Sequence, residues 1–107
     1  MIIYVDFDGT ISNDHGFGDP MNGSIDTINA LYDAGHHIVI YSCRSNSSVC
    51  DPVDHDRMIS YLKKYGVKYH HVEHGKPHFT YIIDDRSINP KELGWDSIKE
   101  KLLNETN

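Results

Sequence analysis

Short apolar runs alternate along the chain with longer stretches of helical spacing. Ile2-Ile3-Tyr4-Val5, His37-Ile38-Val39-Ile40-Tyr41 and Thr80-Tyr81-Ile82-Ile83 are nearly continuous in β-branched and aromatic residues, the pattern of parallel strands covered on both faces. A weaker run from Tyr69 to Val72 predicts a further short strand before the last of these. Between the first two runs, Ile25, Ile28 and Tyr32, with Leu31 beside them, repeat at helical spacing. Ser24 precedes them as a helix cap and Gly35 closes them. Asp51-Pro52 reads as the N-cap and first position of a second helix. Met58, Ile59, Leu62 and Tyr65 form its buried side, and Tyr65-Gly66 its stop. Trp95, Ile98 and Leu102 space out a final amphipathic helix. From Ile11 to Gly23 the residues are turn formers without an apolar period, so a loop is predicted. Strand, helix and strand in succession make a βαβ unit, whose parallel strands bring their polar ends to one edge.

Candidate chemistry sits where the apolar runs stop. Asp6-Phe7-Asp8-Gly9-Thr10 follows the first, Ser42 follows the second with Arg44 two residues on, and Asp84-Asp85 ends the last. Lys76 stands just upstream of that last run, in His74-Gly75-Lys76-Pro77. In open α/β sheets, ligands bind outside the carboxyl ends of the strands. Each piece alone has an ordinary explanation. Asp-Gly is a common hairpin turn, Ser42 a turn residue, Lys76 a solvated charge and Asp84-Asp85 a polar strand end. Their joint occurrence in this order, all predicted at one sheet edge, carries the functional reading.

The D-x-D-G-T loop, the serine ending I-V-I-Y-S, the lysine of H-G-K-P and the acids of Y-I-I-D-D together resemble the four signatures of the haloacid dehalogenase-like (HAD) phosphohydrolases. The wording S-C-R-S-N and I-D-D-R-S-I-N-P is similar to small capless members, including phosphatases associated with capsule biosynthesis. The resemblance covers nearly the whole chain. It implies a minimal HAD-like Rossmannoid α/β domain over 1–107, with a parallel sheet of about four strands, the first inside, and helices on both faces. The intervals between the signatures leave no room for a cap domain, so an open site is expected. The resemblance further implies a Mg²⁺-dependent phosphomonoester hydrolase. Asp6 would be the nucleophile that forms an aspartyl-phosphate, and Asp8 the general acid and base. Ser42 and Lys76, with Gly9 and Thr10, would hold the phosphoryl group. Asp6, the Asp8 main chain, Asp84 and Asp85 would surround the ion, Asp85 either as a ligand or behind the ligands. Arg44 is a candidate for gripping a second anionic group on the substrate.

Composition changes this picture little. Ten basic and sixteen acidic residues give a net charge of −6, which disfavours a broad nucleic-acid footprint but allows a local cationic pocket. The expected partner is a phosphorylated small molecule or an exposed polymer end, and a homo-oligomer that covers the open site is compatible. No run approaches the length of a membrane span or a signal-peptide core, so a cytoplasmic location without membrane attachment is expected. Cys43 and Cys50 are expected as reduced thiols. His70, His71, His74 and His78 surround Lys76, and Cys43, Cys50 and His55 fall between the second and third signatures. The tight paired-cysteine spacing of a zinc knuckle is absent, so structural zinc is not expected. A phosphorylation-dependent receiver would need an aspartate where Ser42 ends the middle strand. A phosphate-binding protein would have no use for the proton carrier Asp8. Phosphotransferase or mutase action within the family remains the nearest alternative.

Overall fold

The structure, a computed structural model, describes residues 1–13, 17–77, 79–84 and 86–105. Its first three strands and two long helices follow the predicted order: β1 Ile2–Val5, α1 Ser24–Asp33, β2 His37–Tyr41, α2 Pro52–Lys64 and β3 His71–Glu73. A 3₁₀ turn, Cys43–Ser45, follows β2. A short α3, Pro90–Leu93, and then α4, Trp95–Glu105, follow β3. Both strand pairs are parallel, in the order β1-β2-β3, with Tyr4 opposite Val39 and Ile40 opposite Val72. This βαβαβ arrangement is a minimal Rossmann-like α/β fold.

Local chemistry sets the helix ends. The Asp51 side chain accepts from the Val53 amide, and Pro52 opens α2. Gly66, at φ 68°, lies just past the end of α2, a left-handed position that glycine takes without steric cost. The start of α1 differs from the expected serine cap. Gly23 is the N-cap, at φ 82°, and Ser24 is the buried first helical residue. The Ser24 hydroxyl donates to the Ile11 carbonyl at 3.2 Å, so it ties the preceding loop to the helix. A Cβ on Gly23 would stand 3.2 Å from the Trp95 Cβ.

The core lies on one face of the sheet. Val5, Ile38 and Ile40 form one buried cluster with Ile28 and Leu31 of α1, Met58, Tyr61 and Leu62 of α2, and Trp95 and Ile98 of α4. Side chains alternate across a strand, so Ile2, Tyr4, His37, Val39, Tyr41 and His71 occupy the other face. There Ile2 and Tyr4 are exposed, and Val39 is buried between its register partners Tyr4 and His71. The expected covering of both faces is thus corrected to one, because all three long helices spend their apolar stripes on the same cluster.

The expected fourth strand is also corrected. Thr80–Ile83 forms no strand and its side chains are exposed, Ile83 fully. Among the described residues β1 is an edge strand, paired with β2 alone. The connection explains this. Only residues 74–79 separate β3 from this run, whereas a crossover to a parallel strand beyond β1 needs about a dozen or more.

Candidate functional site

Two loops and the β3 exit meet at the carboxyl ends of β1 and β2. The first loop is wound around one carbonyl: Phe7 O accepts from the amides of Thr10, Ile11 and Ser12 at 3.3, 3.0 and 3.1 Å. Gly9, at φ 71°, makes that winding possible. Phe7 itself is fully buried, edge-on to Tyr61 at 5.0 Å. One apolar anchor between two acids therefore fixes Asp6 and Asp8 in place. The Trp95 indole N–H donates to the Thr10 carbonyl at 3.1 Å, which ties the loop to the start of α4.

Lys76 donates to the Asp6 carboxylate at 2.8 Å, across 70 positions of sequence. The lysine side chain is 13% exposed and that of Asp6 39%, so the ammonium is enclosed while the carboxylate opens to solvent. Two features hold Lys76 there. Its carbonyl accepts from the Asn46 side chain at 3.0 Å, and its ammonium stands 5.2 Å from the Tyr41 ring and 5.6 Å from that of Phe79, within cation–π range.

Asp8 has a different partner. Arg44 donates to both of its carboxylate oxygens at 2.8 Å, and to Asp54 of α2 at 3.3 Å. With side chains 12% and 15% exposed, this is a bidentate pair in a mostly enclosed place, where such geometry is strongest. Its hydrogen bonds to Asp8 are the main cause that holds Arg44 above the usual guanidinium range, followed by an opposing burial effect. Arg44 thus binds the chain's own acids rather than standing open for a substrate anion. The Arg44 guanidinium also covers the Phe17 ring at 4.4 Å, and Arg57 covers the same ring at 4.3 Å.

Ser42 ends β2 as expected, but its hydroxyl is fully buried and caps the 3₁₀ turn by accepting from the Arg44 amide at 3.2 Å. Cys43 follows it. Burial first, then Cys50 and Asp8, push its thiol above the ordinary value against the opposing Lys76, so a thiolate nucleophile is disfavoured here.

The later acids are less gathered. Asp84 is exposed and accepts from the Arg86 amide at 2.9 Å, a local turn in place of a strand end. Asp85 lies outside the described residues. A cleft of about 470 Å³ does bring this part of the chain to the first loop, since Asp8, Gly9 and Thr10 line it with Ile82 and the segment 87–92. Among the described residues no three His, Cys, Asp or Glu side chains converge as a metal set. The donors that are at hand, Asp6 and the main chain of its loop, are oxygens, a chemistry suited to a hard cation.

Sequence reasoning missed Asn46, Asp54, Phe17 and Trp95. Only Asp54 had a readable signal: the Asp51-Pro52 cap puts it in the first turn of a helix that starts at the same edge. The other three act through tertiary contacts that carry no local pattern.

Among the described residues no helix is long and apolar enough to cross a membrane. No protein-family model and no curated protein matches the chain. Among solved structures it is similar to the crystal structure of an MCSG target from Vibrio cholerae, with a TM-score of 0.75 and 23% identity over 99% of this chain and 98% of that one. At that identity the likeness establishes a shared fold.

Proposed function

We propose that the chain is a phosphomonoester hydrolase of the HAD type, dependent on Mg²⁺. The observation that carries this reading is the Lys76–Asp6 contact at the carboxyl end of β1, 2.8 Å long, with the carboxylate open to solvent. A carboxylate that attacks an anionic phosphoryl group needs a cation fixed beside it to offset the charge on the phosphoryl oxygens. Lys76 is fixed there by Asn46.

In this mechanism a carboxylate oxygen of Asp6 attacks phosphorus, the ester bond to the leaving oxygen breaks, and an aspartyl-phosphate forms on Asp6. Lys76 stays on the phosphoryl oxygens as a point charge. Asp8 protonates the leaving alkoxide and later takes a proton from the water that cleaves the acyl phosphate. For either transfer Asp8 must exchange Arg44 for the leaving oxygen, and Asp54 remains to hold the guanidinium aside. Mg²⁺, when bound by Asp6, the Asp8 carbonyl and the acids at 84 and 85, would supply further positive charge to the phosphoryl oxygens.

The test is phosphate release from a panel of nucleotides, sugar phosphates and phosphorylated nucleic-acid ends. Release is expected with Mg²⁺, is lost with a chelator, and is lost in Asp6→Asn. Release that survives Asp6→Asn refutes the nucleophile, and inactivity on every ester refutes the hydrolase. Transfer to an added alcohol in preference to water would identify a phosphotransferase working through the same residues.

A further inference from the structure

His37 opens β2 on the face of the sheet opposite the core, and His71 opens β3. In register His71 faces Val39, two residues beyond His37, so the two histidines share that face as diagonal neighbours, within reach of long side chains. His37 Nε2 and His71 Nδ1 are 3.3 Å apart, at an exposed position, and the rings are inclined by 52°. That separation is at the long end for a hydrogen bond between the two rings. It equals the edge of a tetrahedron around an ion with metal–nitrogen bonds of about 2.0–2.1 Å, for which two ligand nitrogens stand about 3.3–3.4 Å apart.

A second feature braces His37. The His70 ring stacks on His37 at 4.3 Å and 23°, and Tyr32 of α1 stacks on the far side of His70 at 4.6 Å and 27°. His70 is itself pinned, because its Nδ1 accepts from the Ile38 amide at 3.0 Å. The three-ring stack limits how His37 can turn before any ligand arrives, which lowers the entropy lost on binding.

We propose that His37 and His71 form a binding site for a divalent transition metal ion, with Zn²⁺ as the best match. Water completes the coordination on the solvent side. The site is separate from the acids at the other end of the sheet, since β2 from His37 to Tyr41 spans about 13 Å at the usual rise per residue. Ligand type separates the two as well. Imidazole nitrogens select zinc, nickel and copper, whereas the acidic edge offers oxygens that suit Mg²⁺.

The full chain, free of any affinity tag and stripped with a chelator, is titrated with Zn²⁺ by calorimetry in the presence of excess Mg²⁺. Bound zinc is then measured after dialysis. One ion per chain is expected, released by acidification as the imidazoles protonate. His37→Gln and His71→Gln should each weaken binding at least about tenfold, while His74→Gln, on the β3 exit loop, leaves it unchanged. Near-UV circular dichroism of the variants separates loss of ligand from loss of fold. Two outcomes overturn the site: no zinc bound by the parent protein, or equal affinity in a folded His37→Gln/His71→Gln double variant. Asp6→Asn should bind zinc as the parent does, so the result stands apart from that of the phosphatase assay.

Discussion

At the scale of single residues, the two acids of the first loop have separate partners, and the partners predict separate phenotypes. Lys76→Met leaves Asp6 without its cation, and in the proposed reaction kcat/KM for phosphate release should fall by about 100- to 1000-fold. Asp8→Asn removes the proposed proton carrier and should lower kcat by about 100- to 10,000-fold, least for esters with good leaving groups. Comparison of a nitrophenyl phosphate with an alkyl phosphate checks this. Tyr61 offers a prediction independent of activity. Its hydroxyl donates to the Gly18 carbonyl at 2.6 Å, and burial, then Tyr65 and Asp19, push its phenol up to about 12. In the unfolded chain this group ionises at about pH 10. Between those values the folded state holds a proton that the unfolded state has lost, so stability falls as pH rises through that window. Tyr61→Phe should flatten the fall, at a cost of about 1–2 kcal/mol at neutral pH from the lost hydrogen bond. Chemical denaturation across the alkaline range measures both.

At the scale of elements, legibility followed how local the controlling physics is. The second helix was readable from Asp51-Pro52 to Tyr65-Gly66, because a cap, a proline and a glycine stop all act within a turn. Asp51→Ala should therefore cost about 1 kcal/mol in a denaturant titration. The first helix misled at Ser24, since the residue that accepts the cap position is Gly23, with its left-handed backbone packed on Trp95. Gly23→Ala should destabilise by more than a kilocalorie, about 1 from the backbone and more from the 3.2 Å approach. The run Thr80–Ile83 has the composition of a strand but lacks the chain length to reach the far edge of β1. Apolar spacing does not register that limit. The site was read in the same way. The meeting of Asp6, Asp8 and Lys76 at one edge was identifiable because each ends or adjoins an apolar run, whereas the inward turn of the Ser42 hydroxyl and the Arg44–Asp8–Asp54 grouping depend on tertiary packing.

At the scale of the whole molecule, among the described residues one sheet face is filled by the core, while the other leaves Ile2 and Tyr4 exposed beside the free edge of β1. An unpaired edge next to apolar side chains is a template for association. Substitution of Ile2 by Lys should raise the protein concentration at which larger species first appear in light scattering, with the thermal midpoint little changed. The opposite face is committed to a single core, and it is this core that links the acids to distant parts of the chain.

The indole of Trp95 gives that link a consequence for how the protein is made. The loop with Asp6 and Asp8 leaves the ribosome well before Trp95, yet the hydrogen bond that steadies Thr10 comes from that residue, translated 85 positions later. A nascent chain that stops short of α4 would carry every proposed reacting group and still lack the tether on their loop. On the proposed reading, phosphatase activity should therefore arrive only once Trp95 has emerged and docked.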